Sequence, residues 1–194
     1  FAAAHVLLRH KRPGAEGLTF RTISGERGVR TAPEGIEMAA PRWAAEAEPC
    51  PDLVLRAAGA APDAFFRGPR DLLLVYEDPS RLVALRPDYA TMLELGVTGV
   101  IATSPQGPDA FAFRFFCPGF RIGDDEDPAT GSALSTLAPY WAQRLGGGVL
   151  TATQASERGG WFRCEVMDDA VLVRSSCAMF LAGQLTFDPT DLAG

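Results

Sequence analysis

Residues 132–145 predict a helix that has almost no polar face. The segment reads SALSTLAPYWAQRL and ends at three glycines, 146–148. A helix that is apolar nearly all round must be buried on nearly every side, so other elements have to surround it. The first ten residues, FAAAHVLLRH, have the same character and end at a strong helix stop, Lys-Arg-Pro-Gly. The chain must therefore provide two buried helix environments.

Most of the remaining sequence predicts strands, from alternating or continuously apolar runs bounded by Gly, Pro or Ser. Strands are predicted at 18–23, 29 onward, 36–38, 71–76, 98–102, 111–116, 149–155, 161–166 and 171–185. Short helices are predicted at 53–58, 80–84 and 87–93, and the Ala-, Glu- and Pro-rich stretch 39–51 predicts a linker. The chain is therefore expected to be an α+β protein.

Composition narrows the classes of function. The 194 residues are 47% hydrophobic and 22% charged, which is typical of a globular protein. A net charge of −6 argues against a nucleic acid partner, which requires a basic face. No apolar run approaches the roughly eighteen residues of a membrane span, so no membrane partner is expected. With no recognisable signal peptide, a cytoplasmic location is predicted.

A metal site is not expected. The four cysteines have wide, irregular spacing without a CxxC pair, and the chain has only two histidines: Cys50, Cys117, Cys164, Cys177, His5 and His10. Reduced thiols are predicted. The acidic run 124–127 could also be considered for a divalent cation, but consecutive carboxylates on an extended chain alternate sides and converge poorly. A solvated acidic loop is therefore favoured.

The start of the second apolar helix predicts an anion pocket. A helix N-terminus has backbone N–H groups without intrahelical partners and a positive dipole end. Gly131 permits close approach to the backbone, and the Thr130 and Ser132 hydroxyls add donors. Asp127 lies within one turn. An anion held beside a carboxylic acid suits proton transfer on a small carboxylated molecule.

The same segment carries a family resemblance. Glu-Asp-Pro-Ala-Thr-Gly-Ser-Ala (126–133), followed by Leu-Ala-Pro-Tyr-Trp (137–141), resembles the signature of phenazine-biosynthesis-like isomerases. Other family-like pieces follow in order: Leu-Thr-Phe (18–20), Ser-Gly (24–25), Arg-Phe-Phe-Cys-Pro (114–118), Ser-Glu-Arg-Gly-Gly (156–160), Val-Leu-Val (171–173) and Gly-Gln-Leu (183–185). The likeness covers nearly the whole chain.

The resemblance implies a diaminopimelate-epimerase-like fold, in which two pseudo-symmetric lobes each curl a mixed sheet around a central helix. Residues 1–44 would belong to the N-terminal lobe and 45–194 to the C-terminal lobe, and a return of the last strand to the first lobe is left open as an alternative. Relatives have a Gly-His-x-Thr turn just before the first helix and an acidic residue further upstream. Both would precede Phe1, so the first lobe is expected to be incomplete at its N-terminus.

The resemblance also implies a cofactor-independent isomerase or epimerase that moves a proton on a small carboxylated substrate between the lobes. Asp127 would have an acid/base or acid-orienting role. Gly131 and Ser132 would bind the substrate carboxylate, while Thr130 would bind it or only support the turn. The structural alternative is that Asp127, Thr130 and Ser132 simply cap the helix.

Further alternatives remain open at this stage. Arg114 and Arg158 are either substrate-anion ligands or ordinary arginines, and Cys117 and Cys164 are expected to be buried, inert thiols rather than a catalytic pair. If half of the catalytic machinery is absent, the chain could instead be a small-acid-binding or protein-interaction module. A homodimer would fit either function.

Overall fold

The computed structural model describes residues 1–23, 25–120 and 125–183. Eleven strands form one mixed sheet in the order β1-β2-β3-β11-β10-β9-β8-β7-β6-β5-β4. The strands are β1 Gly17–Thr22, β2 Gly25–Ala32, β3 Gly35–Pro41, β4 Glu46–Ala47, β5 Ala64–Arg67, β6 Asp71–Val75, β7 Gly99–Pro105, β8 Ala110–Phe116, β9 Val149–Gln154, β10 Gly160–Val166 and β11 Ala170–Ser175. The β6–β7 and β8–β9 pairs are parallel, and the other pairs between these strands are antiparallel.

In the part of the chain that the structure describes, five α-helices accompany this sheet. They are α1 Ala2–Val6, α2 Asp52–Ala58, α3 Pro79–Ala84, α4 Tyr89–Leu93 and α5 Leu134–Leu145. The α1 helix continues as a wider π-helical turn, Leu7–Lys11, and a 3-10 turn, Gly131–Ala133, precedes α5. Of the helices in the described residues, none is both long and apolar enough to cross a bilayer. The expectation of an α+β fold is confirmed.

The α5 helix is the centre of the main core, as its apolar sequence predicts. Its buried residues are Leu134, Ser135, Thr136, Leu137, Ala138 and Trp141. Apolar side chains of β3 and of β6 to β11 pack around it. The Trp141 ring stacks on Phe111 with centroids 5.6 Å apart, and the Trp141 Nε1–H donates to Thr103 Oγ1 at 3.0 Å. Within α5, only Gln143 and Arg144, near its C-terminal end, are exposed.

The β6 strand is buried on both faces, which explains its uninterrupted apolar run. Leu73 and Val75 face the α5 core, whereas Leu72 and Leu74 belong to a second core under α2, α3 and α4. Parallel strands covered by helices on both sides have this character. The short helices near β6 are thus a second layer over β5 to β8.

The α1 helix packs on the other end of the sheet. Ala4 and Leu8 form a small core with Val29 of β2 and Ile36 of β3, and Phe1 contacts both this core and the α5 core. Antiparallel pairing of β3 with β11 joins this end to the rest of the sheet. The division of the chain at residues 44 and 45 stays a prediction.

Several element boundaries differ from expectation. The predicted linker at 39–51 contains the end of β3 and all of β4, and the β5 strand was not predicted. The predicted last strand, 171–185, ends at Ser175, and residues 176–183 have no regular structure. Ser24, Asp124, Gln184 and Leu185 lie outside the described residues. The predicted turn at 24–28 is shorter, because β2 already begins at Gly25.

Candidate functional site

The starts of α1 and α5 border the same cleft, which we call the helix-start cleft. Its volume is about 810 Å³. Its lining residues are Phe1, Ala2, Met38, Ala129, Gly131, Ser132, Arg158, Gly159, Gly160, Trp161, Phe162, Ser175, Ser176, Cys177 and Ala178. None of these lining residues is acidic, although the protein has a net charge of −6. The cleft is therefore suited to an anion with an apolar body.

The Phe1 ring lies directly against Gly131. A Cβ atom added to Gly131 would come within 3.0 Å of the Phe1 ring. The 3-10 turn from Gly131 to Ala133 follows Thr130, whose side chain makes no cap hydrogen bond to this turn. The structural alternative, in which Thr130 caps this turn, is thus wrong, and the Thr130 side chain leaves the turn's first amides unoccupied.

The Asp127 carboxylate accepts hydrogen bonds from its own loop. Oδ2 accepts a hydrogen bond from Thr130 Oγ1 at 2.7 Å, and Oδ1 accepts a longer one from Ala129 N at 3.3 Å. The Asp127 amide donates to the Phe115 carbonyl at the end of β8, at 3.0 Å. Asp127 is half-buried and is not among the residues lining the cleft. Its geometry is that of a loop cap next to the cleft.

Gln154, which was not predicted from the sequence as a site residue, hydrogen-bonds to this loop from the adjoining strand β9. Its side chain is fully buried at the end of β9. Nε2 donates to the Asp127 carbonyl and to Thr130 Oγ1, at 3.2 Å for the latter, and Oε1 accepts from Thr130 N at 2.5 Å. The only sequence signal was a glutamine at an inward position of an alternating strand.

These contacts decide what Thr130 does. Its hydroxyl donates to Asp127 and accepts from Gln154, and its side chain is buried. A hydroxyl has one hydrogen to donate, and this one is already committed. Thr130 therefore supports the turn rather than facing the cleft.

Ser132, in contrast, is exposed and lines the cleft. Its Oγ accepts a hydrogen bond of 3.0 Å from Arg70 Nη2. Arg70 was also missed by sequence reasoning, since it precedes a buried strand 62 residues upstream. The structure thus places Gly131 and Ser132 together at the cleft, with Asp127 and Thr130 in the adjoining loop.

Arg114 is engaged inside the protein. It makes a bidentate pair with Glu126, at 2.8 and 2.7 Å, and donates to the carbonyls of Leu82 and Leu85. The hydrogen bonds to Glu126 raise the pKa of Arg114, against the effect of burial. Arg114 thereby ties the acidic loop to β8 and α3 and does not contact the cleft.

Arg158, unlike Arg114, lies at the surface of the cleft. It lines the cleft and is exposed, and no described residue forms an ion pair or hydrogen bond with its side chain. It also borders a neighbouring cavity with Asp125, Glu126 and Glu157. Of the two arginines considered from the sequence, only Arg158 is placed to meet a bound anion.

The cysteines and the acidic run show no reactive or metal-binding arrangement within the described residues. All four thiols are free, and burial raises the pKa of Cys164 to about 12. Burial, with the charge of Asp127, also raises the pKa of Cys117. Both are thus poor thiolates. Among the described residues, no three His, Cys, Asp or Glu side chains converge on a point that could hold a metal ion.

Comparison with known proteins decides the family. The sequence matches the family of phenazine biosynthesis-like proteins over residues 1–183. This chain belongs to that family. It is 38% identical over 186 residues to an uncharacterized isomerase of Pseudomonas aeruginosa, covering 95% of this chain and 70% of the relative. The resemblance found in the signature is therefore confirmed.

Solved structures agree with the fold. A phenazine biosynthesis protein of the PhzF family from Enterococcus faecalis superposes with a TM-score of 0.86 at 32% identity, over 94% of this chain and 69% of the other. A predicted epimerase from P. aeruginosa superposes with a TM-score of 0.63 at 24% identity, over 87% and 66% of the two chains, and shows the fold alone. The epimerase-like fold class is confirmed, and the family to which the chain belongs includes relatives that are named isomerases.

Proposed function

We propose that this protein moves a proton on a small carboxylated substrate bound in the helix-start cleft, as a cofactor-independent isomerase or epimerase of the cytoplasm. The observation that carries the proposal is the placement of Gly131 and Ser132. They lie at the start of a buried apolar helix and line a cleft whose described walls hold no acidic side chain. A carboxylate there would meet backbone N–H groups, the helix dipole and a hydroxyl.

Binding of this kind also assists the chemistry. Negative charge that develops next to a carboxylate during removal of an α-proton is stabilised by fixed donors and by the positive end of a helix. Asp127 adjoins this point, and the 3.3 Å contact to Ala129 engages its Oδ1 only weakly. We propose that Asp127 is one proton-carrying group, or that it orients one through the Thr130 loop. General acid–base catalysis requires such a group within hydrogen-bond reach of the proton.

The test is exchange of substrate carbon-bound protons in D₂O. A panel of amino, hydroxy and cyclic unsaturated acids would be incubated with the protein and analysed by NMR and mass spectrometry. Asp127→Asn is expected to lower the exchange rate at least about a hundredfold, whereas Asp125→Asn, in an exposed neighbouring acid, should leave it unchanged. Equal exchange rates for wild type and Asp127→Asn would refute the proposed role of Asp127.

One observation favours a second candidate, a small-acid-binding or protein-interaction module. Both carboxylate oxygens of Asp127 are hydrogen-bonded within the loop, and Asp127 does not line the cleft. Such a module would retain a carboxylate without exchanging its protons, and Asp127→Asn would barely change retention. A homodimer remains part of either proposal, and sedimentation at several concentrations would detect it.

A further inference from the structure

The carboxylate at the start of β6 is deeply buried beside the helix-start cleft. The Asp71 side chain is 0% exposed and forms an ion pair of 3.1 Å with Arg70 Nη2. Arg70 Nε donates to both carboxylate oxygens at 3.3 Å, and within the described residues no other side chain hydrogen-bonds to this carboxylate. A buried carboxylate with one partner depends on that partner for its charge.

Arg70 is itself fixed on its other sides. Its guanidinium lies 5.2 Å from the centroid of the Trp43 ring, a cation–π distance. The Trp43 amide in turn donates to the Ser135 carbonyl in the first turn of α5, at 2.9 Å. Arg70 is therefore held between a buried carboxylate and the ring of Trp43, a residue whose backbone amide hydrogen-bonds to the first turn of α5.

The remaining contact of this guanidinium is the hydroxyl in the cleft. Arg70 Nη2 donates to Ser132 Oγ at 3.0 Å. A hydroxyl that accepts from a cation keeps its own hydrogen free to donate, and a cationic donor polarises that O–H bond. The contact thus leaves Ser132 with the hydrogen-bonding character that a bound carboxylate requires.

We infer that Arg70, held by Asp71 and Trp43, is a positioning residue that sets Ser132 as a hydrogen-bond donor to a carboxylate in the helix-start cleft. This inference rests on the proposed function, because it assigns the carboxylate to that cleft. Burial raises the pKa of Asp71, and the hydrogen bonds and charge of Arg70 oppose that rise. The two side chains therefore support each other: the hydrogen bonds and charge of Arg70 favour the charged form of Asp71, and Asp71 holds the Arg70 guanidinium in place.

The test is titration of the ¹⁵N-labelled chain with benzoate, read from the amide resonances of Gly131 and Ser132. Removing Arg70 alone would leave a buried charge unpaired, so the neutral double variant Arg70→Gln/Asp71→Asn is used. We expect it and Ser132→Ala each to raise the benzoate Kd about tenfold. Arg70→Lys, which keeps a cation near Ser132, should restore part of the affinity. Arg67→Met, which breaks an exposed pair with Glu48, is the matched control and should bind as wild type does.

The decisive readout is the triple variant, in which Arg70→Gln/Asp71→Asn is combined with Ser132→Ala. A residue that acts through Ser132 has nothing left to position in that background, so the triple variant should bind no more weakly than Ser132→Ala alone. A further tenfold loss in the triple variant, or unchanged binding in the double variant, would overturn the inference while leaving the anion pocket intact. If wild type itself shows no shifts at Gly131 and Ser132, the proposed carboxylate site fails, and the inference fails with it.

Discussion

At the scale of single residues, buried polar side chains determine the shape of the loop beside the cleft. The Gln154 side chain hydrogen-bonds to one carbonyl, one hydroxyl and one amide of the Asp127–Thr130 loop. Buried polar groups that lose their partners cost far more free energy than the bond contributed. The loop therefore depends on a strand residue 24 positions away from Thr130.

Gln154→Leu tests this dependence. The substitution gives an apolar side chain of similar size but leaves the Asp127 carbonyl and the Thr130 amide without this partner, whereas the Thr130 hydroxyl keeps its bond to Asp127. The free energy of unfolding should therefore fall by about 3 kcal/mol. Urea unfolding followed by circular dichroism would measure it. Gln143→Leu, on the exposed side of α5, is the matched control and should change stability by less than about 0.5 kcal/mol. Equal effects of the two variants would contradict the proposed role of Gln154.

Substitution of two buried threonines by valine is expected to change the free energy of unfolding in different directions. Thr103 Oγ1 donates to the Ala112 carbonyl at 2.7 Å and accepts from Trp141 Nε1. Thr136 Oγ1 is equally buried but has no hydrogen-bond partner among the described residues. Thr103→Val should lower the free energy of unfolding by about 2 kcal/mol, because Trp141 loses its acceptor. Thr136→Val should leave it unchanged or raise it by up to about 1 kcal/mol. The difference would be read from chemical denaturation, and a loss at Thr136 as large as that at Thr103 would contradict this reading.

At the scale of elements, the β2–β3 hairpin is held by one glycine. Gly35 has a φ of +129°, and a Cβ atom there would lie 2.3 Å from the Ser175 carbonyl oxygen. A side chain at this position would strain the turn and separate β3 from β11. The turn therefore helps to keep β3 paired with β11, and this pairing joins the two ends of the sheet.

Gly35→Ala is expected to lower the free energy of unfolding by at least about 3 kcal/mol, since strain and steric overlap act together. Gly14→Ala separates the two causes, because Gly14 also has a positive φ, +94°, but no atom lies within 4 Å of the added Cβ. It should cost only about 1 kcal/mol. Thermal unfolding of both variants would check the difference, and equal shifts in Tm would argue that strain alone matters.

The elements also show what the sequence could and could not predict. The pattern of apolar residues predicted α5, β6 and β8, because nearly all of their consecutive side chains are buried and turn residues bound each element. Pattern did not identify β5 or the short β4, whose pairing depends on neighbouring strands rather than on their own residues. The last strand ends at Ser175 although apolar residues follow, and several of those, such as Phe180, are exposed.

The same limit applies to the site. Gly131 and Ser132 could be predicted as cleft residues, because a helix start and its turn residues are adjacent in sequence. Arg70 and Gln154 could not, because nothing local links them to residues 62 and 24 positions away. Their roles arise only when β6 and β9 are placed beside the loop.

At the scale of the whole molecule, a buried carboxylate joins three strands. Glu37 of β3 is 4% exposed and pairs with Arg30 of β2 and Arg174 of β11. Burial alone would raise the pKa of Glu37, but the hydrogen bonds and charges of the two arginines outweigh it and lower the pKa below its ordinary 4.5. The network thus contributes stability wherever Glu37 is ionised.

This contribution predicts a pH dependence with a definite sign. A lowered pKa in the folded state means that the stabilisation is fully present above 4.5 and is lost as pH falls through the folded value. Glu37→Gln should therefore destabilise the protein at neutral pH and flatten the decline in stability below 4.5. Glu165→Gln, at the exposed end of the same network, should preserve the decline. Urea unfolding across the acid range would measure this decline in stability. An undiminished decline in Glu37→Gln would contradict its attribution to Glu37.

The pairing of β3 with β11 has a consequence for how the molecule is made. β3 is synthesised early, but its partner strand is complete only when residue 175 has left the ribosome. Until then one edge of β3 presents unpaired backbone groups, which is the kind of edge that invites pairing with other chains. The nascent polypeptide therefore cannot pair this edge of β3 until β11 has been synthesised, and we expect β3 to need shielding by a chaperone until then.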